Sequence, residues 1–412
     1  MPDYYDELET RSPEAREGAL FAALPGQIAH AMQNAPACGA LLADVDAASI
    51  NSRKALAGVP VTRKTELIER QGEAPPFGGF AATAISELSH IFASPGPIYE
   101  PEARRDDYWR MARALFAAGF RRGELVHNTF AYHFTPAGFM LESGAHALGC
   151  PVFAAGIGQT ELQVQTISLL KPPCYVGTPS FLNIILDKAI ELAADVSCIE
   201  KALVSGEALP PSLRQSLADK GVAVLQCYAT ADLGLIAYES ESKEGMIVDE
   251  GVILEIVRPG TGDPVARGEV GEVVVTTLNP DYPLIRFATG DLSAIMDGES
   301  PCGRTNLRIK GWMGRADQTT KIRGMFVHPS QVAAVLKRHP EAVKGRLVVD
   351  SADNQDLMTL HCEIEAAPSE DLREAIAGSV RELCKLRAEV VFGEVGSLAN
   401  DGKVIDDVRS YE

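Results

Sequence analysis

Ala and Leu recur at helical spacing from Pro13 onward, and this pattern predicts a helix over residues 13–34. The same periodicity around Tyr108, Trp109, Met111, Leu115 and Phe116 predicts a second helix over 102–119. Short apolar runs then alternate with helical stretches. Leu125–Phe130, Pro151–Ala154, 174–177, Lys201–Ser205 and Val222–Cys227 read as strands, and 136–149, 159–171 and 210–220 as helices. A further helix opens at Thr178-Pro179-Ser180, where Thr is a natural N-cap and Pro suits the first turn. Strands alternating with 10–15-residue helices predict βαβ units and a buried, mostly parallel sheet.

Beyond residue 250 the texture changes. Val252–Val257, Glu272–Thr277, Leu284–Phe287 and Leu292–Met296 are short strands separated by Gly, Pro and Asp turns, which predicts a β-rich subdomain over about 250–314. The last ~95 residues read as a hairpin, a helix (330–338), two strands (343–349, 357–365), a helix (370–385) and a strand (388–392), a small α+β unit of split-βαβ type. The fold class is therefore α/β, a large N-terminal portion over 1–314 followed by a small domain over 318–412.

Composition narrows the function classes. The chain has 412 residues, 46% hydrophobic and 23% charged, with a formal net charge of -18. An acidic protein of this kind offers no general affinity for nucleic acid or anionic membrane, but local backbone dipoles can still hold a small anionic ligand. The eight cysteines form no CxxC pair and most lie in apolar stretches, as expected of reduced, packed thiols. The acidic start Met1–Glu7 has no apolar core, and no apolar run approaches the ~18 residues of a membrane span, so the expectation is a soluble cytoplasmic protein.

Several motifs carry little. No GxSxG elbow or GxxxxGK[ST] loop occurs, Gly156-Ile157-Gly158 is only part of a dinucleotide fingerprint, and His127, His133 and His146 lack metal-ligand spacing. Asp281–Asp291 (DYPLIRFATGD) and Gly314–Val327 (GRADQTTKIRGMFV) are more specific. With Tyr132–Gly138, Thr178-Pro179-Ser180, Ser205-Gly206-Glu207, Gly268–Glu272 (GEVGE) and Asp401-Gly402-Lys403, they place seven matches in register over about residues 80–412. In that register the chain resembles the adenylate-forming superfamily, and most closely its phenylacetate-CoA ligase family.

The resemblance implies an adenylate-forming enzyme fold and an AMP-forming acyl- or aryl-CoA ligase. A small carboxylic acid, aromatic by inheritance from the family, would attack the α-phosphate of ATP, and CoA would then displace AMP. It implies Asp291 on the ribose hydroxyls, since an ionised carboxylate accepts strongly from two vicinal O–H donors. It further implies Gly206, Glu207, Tyr228, Arg315, Ser94 and Gly96 as nucleotide-binding. Asp317 would be the hinge within 315–317, a position that absorbs a large φ/ψ change. Lys403 would stabilise developing charge in the first step, and Lys321 and Gly324 would line the CoA side. Tyr132, Phe134 and Ala231 are candidate walls of the acid pocket, which calls for apolar and aromatic lining. The family also suggests a homodimer as a candidate assembly.

Three departures from the family pattern stand out. Where the family has the phosphate loop SSGTTGKP, this chain reads Ser94-Pro95-Gly96-Pro97-Ile98-Tyr99-Glu100-Pro101. Pro95 and Pro97 delete two backbone donors, and Glu100 replaces the lysine. Putting Thr at Ile98 and Lys at Glu100 is expected to raise ATP consumption. The Mg²⁺-binding Glu of the family is Asp232 in Tyr228-Ala229-Thr230-Ala231-Asp232, a residue that can still bind Mg²⁺. The family's Cys-x-Cys-Gly-Arg zinc element is reduced to Ser300-Pro301-Cys302-Gly303-Arg304, and one cysteine cannot close a tetrahedral site, so no structural zinc is expected. The departures leave a second reading open, a homologue that binds nucleotide, acyl-adenylate or CoA without full ligase activity. A third has an acceptor other than CoA.

Overall fold

A computed structural model describes residues 3–94, 97–313, 316, 320–323, 325–327, 329–352, 355–365, 367–399 and 403–409. The chain divides into two compact units, Met1–Met313 and Gly314–Glu412.

The first unit is organised by an eight-stranded sheet. Five parallel strands lie side by side in the order Val152–Ala154, Val126–Asn128, Cys174–Gly177, Lys201–Val204, Ala223–Thr230. The helices Ala137–Ala147, Thr160–Leu170, Pro179–Glu191 and Pro211–Asp219 alternate with them. Buried on both faces, such strands are continuously apolar, as Cys174–Gly177 is. Thr178 caps its helix as expected, its side chain accepting the Phe181 N–H with Pro179 in the first turn. After Thr230 the chain reverses into Gly234–Tyr238, which pairs antiparallel, and the sheet ends with Met246–Val248 and Arg308–Ile309. Gly234 permits that reversal. Its φ is +74°, and a Cβ there would lie 2.7 Å from the Trp109 carbonyl oxygen.

A second sheet has the order Thr62–Arg63, Phe287–Ser293, Gly271–Thr277, Val252–Val257. It corrects the expectation of separate strands at Leu284–Phe287 and Leu292–Met296: one strand, Phe287–Ser293, runs through the Gly290 position. The turn signal there marks a bulge instead. Glu272 pairs with Leu292 and Val274 with Ala288, so Thr289-Gly290-Asp291 stand opposite Val273 alone. Gly290, at φ +75°, allows the extra residues to bow out. Beneath this sheet Arg286 is buried, bonded to Glu255 at 2.9 and 3.1 Å and to the carbonyls of Ala57, Val59 and Gly262. The arginine of the DYPLIRFATGD segment is thus a structural tie.

The helix expected over 102–119 is the second correction. Ile98–Ala103 is a strand paired with Leu88–Ser94, and only Met111–Ala117 is helical, after Arg110 in a left-handed conformation. Tyr108, Trp109, Met111 and Leu115 are buried, so the apolar spacing reflects burial from several sides rather than one long amphipathic face. The helix Pro13–Asn34 forms as its periodicity predicts, capped by Ser12, and buries Leu20, Phe21, Leu24 and Ile28.

The second unit has a four-stranded sheet in the order Glu389–Gly393, Gln355–Ile364, Ala342–Ala352, Ile405–Asp407, with the helices Pro329–Arg338 and Glu370–Cys384 and a hairpin, Thr320–Ile322 with Met325–Val327. The last strand, Ile405–Asp407, is too short to be visible as a pattern. It is parallel to Ala342–Ala352. Among the described residues no helix is long and apolar enough to cross a membrane.

Candidate active site

In open parallel sheets ligands bind beyond the carboxyl ends of the strands, and most of the sequence-derived site residues of the first unit lie there. Ser205-Gly206-Glu207 follows the Lys201–Val204 strand. Gly206 turns with φ +81°, and Glu207 Oε2 accepts from Ser180 Oγ at 2.5 Å, in the first turn of the Pro179–Glu191 helix. Tyr228, on the neighbouring strand, donates its hydroxyl to Asp291 Oδ2 at 2.7 Å and lies 3.1 Å from Thr289 Oγ1. The bulge presents Asp291, Thr289 Oγ1 accepts the Asp291 N–H at 3.1 Å, and Trp312 Nε1 donates to Asp291 Oδ1 at 3.1 Å. Asp291 is therefore a buried carboxyl held by a phenol and an indole. Sequence reasoning missed Trp312. Its signal was its rarity: the chain has two tryptophans, and an indole is a donor only.

A second cluster forms where the phosphate loop was expected. Ser94 and Ile98 are paired across the end of the hairpin. Glu100, wholly buried, turns its carboxyl inward, and accepts the Ser94 hydroxyl at Oε1 and the Ser94 N–H at Oε2, the latter at 3.2 Å. Ile98 is buried too. Substituting Thr at Ile98 and Lys at Glu100 would thus place a hydroxyl and an ammonium in the interior, and the expected gain in ATP consumption does not follow from this geometry. Asp232 closes the cluster from the turn after the Ala223–Thr230 strand. Its Oδ2 lies 2.7 Å from Lys64 Nζ, and its Oδ1 is buried with no hydrogen-bond partner among the described residues. Lys64 opens the helix Lys64–Glu73 and was not anticipated. It lies 168 residues from Asp232 along the chain, and nothing local marks it. Burial, with the nearby Asp232 charge, pushes the Glu100 carboxyl up to about 8, so it is largely neutral at pH 7.

The candidate pocket walls divide. Tyr132 is half-buried, its hydroxyl donating to Glu142 at 2.7 Å and accepting from Asn128 at 2.8 Å, its ring edge-on to Phe139 at 5.2 Å. Phe139 also packs on Phe92 and His90, which makes an aromatic group beside the hairpin. Phe134 does not line a pocket: it is 83% exposed, its φ is +60°, and among the described residues its carbonyl accepts the Ala93 N–H. Ala231 is partly buried next to Asp232.

In the second unit Lys403 is half-exposed and paired with Asp406 at 2.8 Å. Lys321 lies in the Thr320–Ile322 strand, its carbonyl accepting from Arg409 at 3.0 Å. Gly96, Arg315, Asp317 and Gly324 lie outside the described residues.

For Mg²⁺, Asp232 offers one oxygen, the other being committed to Lys64. Mg²⁺ asks for one or two carboxylates plus substrate phosphates, so Asp232 would hold it through that one oxygen together with the phosphates of a nucleotide. Among the described residues no group of three metal-ligating side chains occurs. At the zinc-like element Cys302 Sγ meets Ser300 Oγ at 3.1 Å and the Arg304 guanidinium at 3.7 Å, and hydrogen bonds from Ser240, Ser300 and Arg304 hold the thiol below its usual range despite burial. All eight cysteines are unpaired, seven of them buried.

A family model described as AMP-binding enzyme matches residues 108–279. The chain is 32% identical over 364 residues to the phenylacetate-coenzyme A ligase of Thermus thermophilus, covering 84% of this chain and 80% of that protein. It is 28% identical to the enzyme of the same name from Aromatoleum evansii, over 88% and 85%. Among solved structures, 2-hydroxyisobutyryl-CoA ligase in complex with 2-HIB-AMP and CoA superposes with a TM-score of 0.83 at 26% identity, covering 98% of this chain and 92% of that one.

Proposed function

The chain belongs to the phenylacetate-CoA ligase family of adenylate-forming enzymes, and we propose from that premise that it is an AMP-forming ligase joining a small carboxylic acid to CoA. One observation carries the reading: the bulge at Gly290 presents Asp291 to a phenol and an indole at the carboxyl ends of the parallel strands, with Glu207 anchored nearby. Asp291 accepts the two ribose hydroxyls of the nucleotide, and Gly206, Glu207 and Tyr228 border its base. The acid's carboxylate oxygen forms a bond to the α-phosphorus while the bond to pyrophosphate breaks. The CoA sulfur then bonds to the acyl carbon and AMP leaves. Lys403 supplies positive charge to the carboxylate and α-phosphate in the first step. Mg²⁺ would enter on the phosphates of the nucleotide.

The aromatic group of Tyr132, Phe139 and Phe92 supports an acid with an aromatic ring as the preferred substrate. The relatives span both possibilities, one named for phenylacetate and one for 2-hydroxyisobutyrate. The test is thioester formation from ATP, CoA and each of these acids, with Lys403→Ala as control. The variant is expected to lose about 100-fold or more of the adenylation rate with its fold intact. Full activity in the variant would remove Lys403 from the mechanism, and preference for the aliphatic acid would overturn the aromatic assignment.

A further inference from the structure

A loop that holds phosphate does so with backbone N–H groups and hydroxyls pointing at one place. Among the described residues of this hairpin those donors are already engaged. Pro95 and Pro97 have no N–H, and Ile98 is paired with Ser94 across the strands. The Ser94 N–H and hydroxyl both go to one internal acceptor, the carboxyl of Glu100. That carboxyl is held as a bound anion would be, by a backbone amide and a hydroxyl together, and the burial of Glu100 keeps water from competing for them. The Lys64–Asp232 pair adjoins the cluster, so the lysine charge is opposed by Asp232.

We propose that Glu100 is a specificity-determining residue of the nucleotide site: its carboxyl takes the donors with which this hairpin would hold a phosphate beyond the first, so the site favours AMP or an acyl-adenylate over ATP. The inference rests on the ligase reading above and goes beyond it, because it fixes which nucleotide species the resting site prefers. A triphosphate must displace the Glu100 carboxyl from Ser94 or forgo those two hydrogen bonds. A monophosphate needs neither. Ionisation of Glu100 sharpens the discrimination by adding a like charge. The charged groups facing it are Lys64 and Asp232, and the adjacent Tyr282 hydroxyl is held well above its usual range by burial, so it stays neutral through the same interval.

The test is calorimetric titration of the full chain with AMP and with ATP plus Mg²⁺, in the wild type, Glu100→Ala and Glu100→Gln. In the wild type AMP is expected to bind at least about tenfold tighter than ATP. Glu100→Ala frees the Ser94 donors, and the gap should narrow by about tenfold through tighter ATP binding with AMP unchanged. Glu100→Gln keeps an acceptor on the Ser94 N–H and so keeps most of the gap at pH 7. Between pH 7 and 9 wild-type ATP affinity should fall relative to AMP as Glu100 ionises, and the Gln variant should lose that trend. Equal affinities in the wild type, or a gap unchanged in Glu100→Ala, would overturn the proposal. Should the Ala variant not fold, a wild-type ATP-to-AMP ratio that is flat with pH does the same. If neither nucleotide binds, the ligase reading itself fails and this inference with it.

Discussion

The two ends of the candidate nucleotide site are built on opposite plans. At the ribose end Asp291 is lifted out of a strand by a bulge and accepts from two neutral donors, Tyr228 and Trp312. At the phosphate end two carboxyls are turned inward onto groups of the protein itself, Glu100 onto Ser94 and one oxygen of Asp232 onto Lys64. The first presents its carboxyl beside the ends of the parallel strands, and the second turns its carboxyls into the interior. The lesson is that a retained residue type says less than the direction in which its side chain is spent. Glu100 and Asp291 are both buried acids. One completes the fold and the other is presented by it.

The contrast can be broken from the phosphate end with the largest effect. Lys64→Ala would leave Asp232, almost wholly buried, without its counter-charge, and should cost about 3 kcal/mol of stability in a denaturant titration. The double variant Lys64→Ala/Asp232→Ala should recover most of that loss. A single variant as stable as the wild type would mean the pair contributes nothing and the phosphate end is less self-contained than its geometry says. At the ribose end Asp291→Ala should leave the fold nearly unchanged and weaken AMP binding by about 2 kcal/mol, the worth of hydrogen bonds to a charged group, read by calorimetry. Large destabilisation with unaltered AMP affinity would invert the comparison.

The smallest effect is a pH dependence. Glu100 titrates near 8 in the folded chain against an ordinary 4.5. Between those values the folded chain binds the extra proton, so its stability falls as pH rises and the decline ends above about pH 8. Between pH 7 and 8 Glu100 should contribute a loss of about 1 kcal/mol, which Glu100→Gln should remove. Asp107, pushed up to about 7 by burial, adds a loss of the same sign that the variant leaves in place. Identical stability–pH curves for wild type and variant would show that Glu100 is ionised in the fold.

Much of the molecule was legible from local pattern. Helical spacing located Pro13–Asn34, a Thr-Pro-Ser signal opened Pro179–Glu191, and apolar runs marked the five parallel strands, because each of these is fixed by residues a few positions apart. Asp291 was legible through the family resemblance of DYPLIRFATGD, not through a local pattern. Elsewhere the pattern misled. Gly290 looked like a turn, since the partner strand that makes it a bulge lies at Val273. The spacing at 102–119 suggested a helix where Ile98–Ala103 is a strand and Arg110 breaks the helical path.

What the sequence alone determined, then, is the order of most elements and the α/β class, with Asp291, Glu207 and Tyr228 singled out by family resemblance. Only the tertiary structure decided that Lys64 neutralises Asp232, that Trp312 holds Asp291, that Glu100 faces inward and that Phe134 faces solvent. The physical reason is range. Secondary structure follows from periodicities and caps within a few residues, whereas the choice of partner for a buried charge is a packing outcome, set by which distant segments share the interior once the chain has closed.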